Sequence, residues 1–101
     1  MDVVHRLNDI AFVWDSGKAL ANLQKHGVSL DAACEVFFDP FIHILRVEVH
    51  GGEERELAVG MTREWKLLVV VYTRREDFIR LISARAATAQ ERRTYEDGPD
   101  A

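Results

Sequence analysis

Leu67-Leu68-Val69-Val70-Val71-Tyr72 (LLVVVY) is the stretch that decides the fold. Six consecutive apolar residues, half of them β-branched, leave no polar face for water, so the segment reads as a central strand buried on both sides. Around it lie other short segments. Downstream, Arg74-Arg75-Glu76-Asp77 makes a turn into a strand at Phe78–Ala84. Upstream, Thr62–Trp65 turns back into Arg55–Met61, and His50-Gly51-Gly52-Glu53 joins that strand to Ile42–Val49 as a hairpin. These four strands form a meander.

Before Pro40 the spacing is helical. Ile10–Trp14 (IAFVW) is a short apolar strand, after which Asp15 caps a helix over about Lys18–His26 that Gly27 closes in the left-handed conformation. Ser29 caps a second helix, about Leu30–Phe38, with Val28 stapled onto Ala33, and Asp39-Pro40 ends it. At the other end, Thr88-Ala89-Gln90-Glu91 is a capping box that opens a helix to about Tyr95, and Gly98-Pro99 stops it. The order β-α-α-β-β-β-β-α predicts an α+β fold: an antiparallel sheet of four to five strands carrying two N-terminal helices and one C-terminal helix. One domain over 1–101 is expected, with 1–9 as an N-terminal extension and 97–101 as a disordered tail.

Composition narrows the chemistry. With 48% hydrophobic and 30% charged residues, the chain is an ordinary globular domain, and no apolar run is long enough to cross a membrane as a helix. Met1–Ile10 lacks the apolar core of a secretory signal, so a cytoplasmic location is expected. Cys34 is the single cysteine and reads as a small buried hydrophobe. Histidines 5, 26, 43 and 50 show no metal-binding spacing, so neither a metal nor another cofactor is expected. The net charge is −4, yet Arg74–Arg93 contains six arginines against three acids, so one face can still be basic. The two N-terminal helices around Gly27 suggest a helix-turn-helix, but the second carries Asp31, Glu35 and Asp39 and no cation, the wrong charge for DNA.

Three groups can carry chemistry. Lys18, Asn22, Lys25 and His26 follow Asp15 along one side of the first helix. That stripe is either a solvated face or a place where two lysines, an amide and an imidazole hold a phosphate and move a proton. Glu53-Glu54-Arg55 lies at the mouth of the hairpin. Arg80 sits mid-strand, on a face expected to be shared with Ile82 and Ala84, and needs either water or an acid partner. Arg85 leaves the strand end beside the last helix, where Glu91 is the capping residue and Arg92 and Tyr95 share a side.

Taken in order, these residues resemble a known family. Phe12-Val13-Trp14-Asp15, Lys18, Asn22, Lys25-His26-Gly27-Val28, Leu30, Ala33, Phe37 and Asp39-Pro40 make its opening signature. Gly52-Glu53-Glu54-Arg55, Gly60 and Leu67–Thr73 make the middle. Ile79–Arg85, Ala87, Glu91-Arg92 and Tyr95 make the end. The pattern, from Phe12 to Tyr95, is similar to the BrnT-type toxins of bacterial type II toxin–antitoxin systems. The resemblance implies a RelE-like fold, a ribonuclease that arrests translation and growth, and a BrnA-like DNA-binding antitoxin joined to it in a hetero-oligomer, a heterotetramer. This chain itself is not expected to bind DNA or a membrane. An alternative is a catalytically inactive homologue that only binds the antitoxin and tunes the operon. Metal-free RNA cleavage would draw charge stabilisation from Lys25, Arg80 and Arg85 and proton transfer from His26 and Glu54. Lys18, Asn22, Arg55, Arg92 and Tyr95 would bind the substrate.

Overall fold

In the computed structural model, which describes residues 1–98, LLVVVY is a buried strand inside a six-stranded sheet. The strands are β1 (Asp2–Leu7), β2 (Ile10–Asp15), β3 (His43–His50), β4 (Glu53–Met61), β5 (Leu67–Arg74) and β6 (Ile79–Ala86). The helices are α1 (Ser16–His26), α2 (Leu30–Ala33, continued by a 3₁₀ turn over Cys34–Phe38) and α3 (Ala89–Asp97). In the sheet the order is β1-β2-β6-β5-β4-β3.

The α+β class and the sequence of helices agree with expectation, while the sheet is larger and mixed. The leading segment, expected only as an extension, is β1. It pairs with β2 along its whole length, from Asp2 opposite Asp15 to Leu7 opposite Ile10. Asn8 and Asp9, both at positive φ, make the two-residue turn between them. The one parallel contact joins β2 to β6 through Phe12 with Ile79 and Val13 with Arg80. It arises because α1, α2 and the β3–β5 meander intervene between these two strands. Of the expected disordered tail, Asp97 ends α3 and Gly98 caps it; residues 99–101 lie outside the described residues.

Capping proceeds as the side chains dictate. Asp15 accepts from the Lys18 N–H, Ser29 from the Ala32 N–H, and Thr88 and Glu91 form the reciprocal box at α3. Each sheet face then buries its own cluster. On the core face, Phe12, Trp14, Val70, Tyr72, Leu81 and Ala84 meet Leu30, Ala33, Cys34 and Val36 from α2 and its 3₁₀ turn. On the other face, Leu57, Val59, Leu67 and Val69 are covered by Leu45, Ala87 and Tyr95, so α3 shields only part of it. The remainder is open.

A bulge sets what that open face carries. Between Val71 and Tyr72 the register on β6 jumps from Ser83 to Leu81, leaving Ile82 unpaired. Arg80, Ser83 and Arg85 therefore lie opposite Thr73, Val71 and Val69 on the open face, whereas Leu81 and Ala84 enter the core. Strict alternation had grouped Arg80 with Ile82 and Ala84; the extra residue separates them.

The 3₁₀ turn rides directly over β4 at Gly60. A Cβ there would stand 2.9 Å from Val36 Cβ and 3.1 Å from the Val36 carbonyl oxygen. Gly60→Ala should therefore lower unfolding stability by about 1–3 kcal/mol, measured by urea denaturation. Unchanged stability would show that the turn does not press on the sheet.

Candidate functional site on the open sheet face

Where β2 leaves the sheet to become α1, the outer edge of β6 is left without a strand. Asn22 of α1 fills the gap. Its side-chain amide donates to the Ala84 carbonyl at 2.9 Å and its carbonyl accepts from the Ala84 N–H at 3.0 Å, as a neighbouring strand would. A further donation to the Val28 carbonyl at 2.9 Å ties in the loop after the helix. Asn22 is buried. Expected to bind substrate, it instead has its amide engaged in holding α1 to β6.

Clamped there, α1 presents its exposed residues beside the bulge. Lys18, Ala21, Asn22, Lys25 and His26 line a depression of about 270 Å³ together with Ile82 and Ser83. Ser83 is the link, because it also stands between Arg80 and Arg85 on the open face. The helix stripe and the sheet arginines thus adjoin through one residue.

The arginines of this face are each held by a carboxylate. Asp2 of β1 accepts from Arg80 at 2.9 Å, and that guanidinium holds its carboxyl below the ordinary range. Glu53 bridges Arg75 and Arg55, with its own carboxyl lowered chiefly by Arg75. Across β3, Glu48 joins Arg46 and His50. Arg85 makes a two-pronged pair with Glu91 at 2.7 and 2.9 Å. That guanidinium, helped by the Thr88 N–H, holds the Glu91 carboxyl down to about 2.

The remaining expected residues divide. Arg55 lies on the open face, opposite Glu48, while Glu54, one residue earlier, is exposed on the opposite side of β4 and is not brought to Arg80 and Arg85. Tyr95, expected to bind substrate, packs in the α3 cluster and donates its hydroxyl to Asp39 at 2.7 Å. Burial works to raise the Asp39 carboxyl, but Tyr95 and the Met61 and Phe41 N–H groups outweigh it and keep it low. Arg92 is exposed on α3. Sequence reading missed Asp2, Ser83 and Thr73, because their places depend on strand pairing and on the bulge. Among the described residues no three His, Cys, Asp or Glu side chains gather in a way that would hold a metal ion.

Comparison with known proteins gives this arrangement a relative. Residues 14–91 match the family model described as the ribonuclease toxin, BrnT, of type II toxin-antitoxin systems. In structure the chain is similar to the ribonuclease toxin BrnT of Brucella abortus, with a TM-score of 0.55, 25% identity, and coverage of 74% of this chain and 92% of that one. No curated protein matches it significantly by sequence.

Two outcomes follow from the clamp and the pair. Asn22→Ala should cost about 2–4 kcal/mol in urea unfolding, since both backbone groups of Ala84 lose their partner; a loss below 0.5 kcal/mol, about the size of an ordinary surface substitution, would contradict the clamp. For Glu91 the folded carboxyl titrates below its ordinary value of 4.5, so its contribution is complete above that pH and is lost as pH falls toward about 2. Glu91→Gln should be less stable than the parent by on the order of 2 kcal/mol at neutral pH, with the gap closing across that window. A gap that does not change with pH would refute the pairing.

Proposed function

The chain belongs to the BrnT family of ribonuclease toxins of type II toxin–antitoxin systems, and from that premise we propose that it cuts RNA without a metal ion, by acid–base chemistry where α1 meets the open sheet face. The observation that carries this reading is the position of Ser83, shared by the α1 depression and the row from Arg80 to Arg85. Cations from two elements thereby border one spot on an otherwise acidic molecule.

Cleavage by the neighbouring 2′-hydroxyl needs a base for that proton, cations for the charge growing on the phosphoryl oxygens, and a proton for the departing 5′-oxygen. His26 is the proton carrier in this scheme, because it is the imidazole that lines the α1 depression beside Ser83. Lys25, Arg80 and Arg85 stabilise the phosphorane-like charge. Arg85 has five N–H groups, of which Glu91 and the Ala86 carbonyl take three, so two stay available to a phosphate. Lys18, Arg55 and Arg92 steer the backbone. Glu54, turned to the far side of β4, takes no part.

The neutralising partner is a cognate BrnA-like DNA-binding antitoxin, assembled with the toxin as a hetero-oligomer, a heterotetramer. An acidic segment of that partner would compete for the arginines now held by Asp2, Glu53 and Glu91 and so cover the site. An RNA target places the action in the cytoplasm. No helix among the described residues is long and apolar enough to cross a membrane.

Purified protein incubated with RNA in excess chelator should cleave at the rate seen without chelator and leave 2′,3′-cyclic phosphate ends. Arg80→Ala should lower that rate about a hundredfold, the usual effect of removing one charge-stabilising donor. Activity abolished by the chelator would overturn the metal-free mechanism. Absence of both cleavage and growth arrest on induction would identify an inactive, antitoxin-binding homologue.

A further inference from the structure

Thr73 sits on the open face in the middle of β5 and is 2% exposed, yet its hydroxyl has no hydrogen-bond partner. Its cross-strand neighbour on β6 is Arg80. On the β4 side the register Glu56–Tyr72 continues to Arg55, whose buried Nε makes no hydrogen bond and has only a long ionic contact, 3.5 Å, to Glu53. A buried hydroxyl with no partner, one strand spacing of about 4.8 Å from a guanidinium nitrogen held only loosely, is a costly arrangement for a fold to retain without something to satisfy it.

From this geometry we infer that Thr73, flanked by Arg55 and Arg80, forms a second phosphate subsite that holds the RNA backbone one nucleotide away from the reacting phosphate. The inference rests on the reading of the open face as the RNA surface. Two residues along the strands separate the Thr73 row from the row of Val71 and Ser83, about 7 Å. That is comparable to the spacing of successive phosphates along a single strand. Arg55 is bound only by Glu53 at 3.5 Å, and Glu53 is already engaged by Arg75, so Arg55 can swing outward without breaking a short bond. The Thr73 hydroxyl then donates to one phosphoryl oxygen while the Arg55 guanidinium closes on the others, and Arg80, on the far side of Thr73, stays with the reacting phosphate. Asp2, which holds Arg80 from the solvent side, is half exposed and yields to a competing anion.

The probe is a 2′-O-methylated RNA octamer, which 2′-hydroxyl chemistry cannot cleave, with binding read by fluorescence anisotropy at fixed salt. Thr73→Val should weaken binding about tenfold while the thermal midpoint stays level or rises, because an unsatisfied buried hydroxyl has been removed. Thr73→Ser, which keeps the hydroxyl, should bind within twofold of the parent. In the unmodified protein, titration with inorganic phosphate should shift the Thr73 methyl and Arg55 Nε–H nuclear magnetic resonance signals together, a readout that requires no variant to fold. Unchanged octamer affinity in Thr73→Val, a parallel loss of stability and affinity in both variants, failure of the parent to bind the octamer, or no shift with phosphate would each overturn the subsite. A parent that cleaves RNA while Thr73→Val binds normally sinks the subsite alone. A parent that holds the octamer through Thr73 and never cleaves RNA sinks the ribonuclease reading alone.

Discussion

A single carboxamide stands where a strand is missing. Beyond Arg80 the outer edge of β6 has lost β2, and the N–H and C=O of Ala84 would be buried without partners had Asn22 not taken both. That requirement fixes the position of α1, and the position of α1 determines whether Lys18, Lys25 and His26 can meet the sheet. The bulge at Ile82 acts on the same stretch of β6, turning Arg80, Ser83 and Arg85 to one face. Two local irregularities, a departed strand and an extra residue, therefore build the site; a longer β2 would have closed the edge, and a regular β6 would have turned Arg80 away from Ser83 and Arg85.

The electrostatics follow from how the arginines are kept. A net charge of −4 opposes broad attraction to a polyanion. On the open face, however, each arginine has one carboxylate partner that is at least partly wet, from Asp2 for Arg80 to Glu53 for Arg55 and Arg75. Such pairs are weakly bound in water and exchange readily for another anion. The acids thus hold the guanidinium groups in place, and a phosphate that displaces them meets cations already oriented.

Much of the frame was legible in the sequence because it is written in contiguous residues. LLVVVY has no polar face, and Asp15, Ser29 and Thr88 with Glu91 announce three helix starts within four residues each. What escaped reading depends on contacts across long separations. β1 alternates weakly and has half-buried residues at Val3, His5 and Leu7, so only its pairing with β2 reveals it. Asn22 lies on an otherwise polar helix side and becomes structural through a residue 62 positions away. The bulge has no signature in Ile79–Ala86, and without it the face of Ser83 and Arg85 comes out inverted. Glu54 and Arg55 illustrate the reverse case, since a shared cluster in sequence becomes two sides of one strand.

The closing helix shows why Arg85 cannot be treated as a free cation. Its pair with Glu91 uses the same carboxylate that accepts from the Thr88 N–H, so the capping box and the ion pair share one group. Tyr95, at the far end of α3, is fastened to Asp39, which also receives the Met61 N–H of β4. α3 is thereby anchored at both ends, over the apolar half of the face that carries the arginines. A change at Arg85 acts on phosphate charge and on the seating of α3 together, whereas Arg80 is paired with Asp2 of an edge strand and makes no hydrogen bond to a capping side chain. Of the two, Arg80 is the position at which charge can be altered with the scaffold left standing.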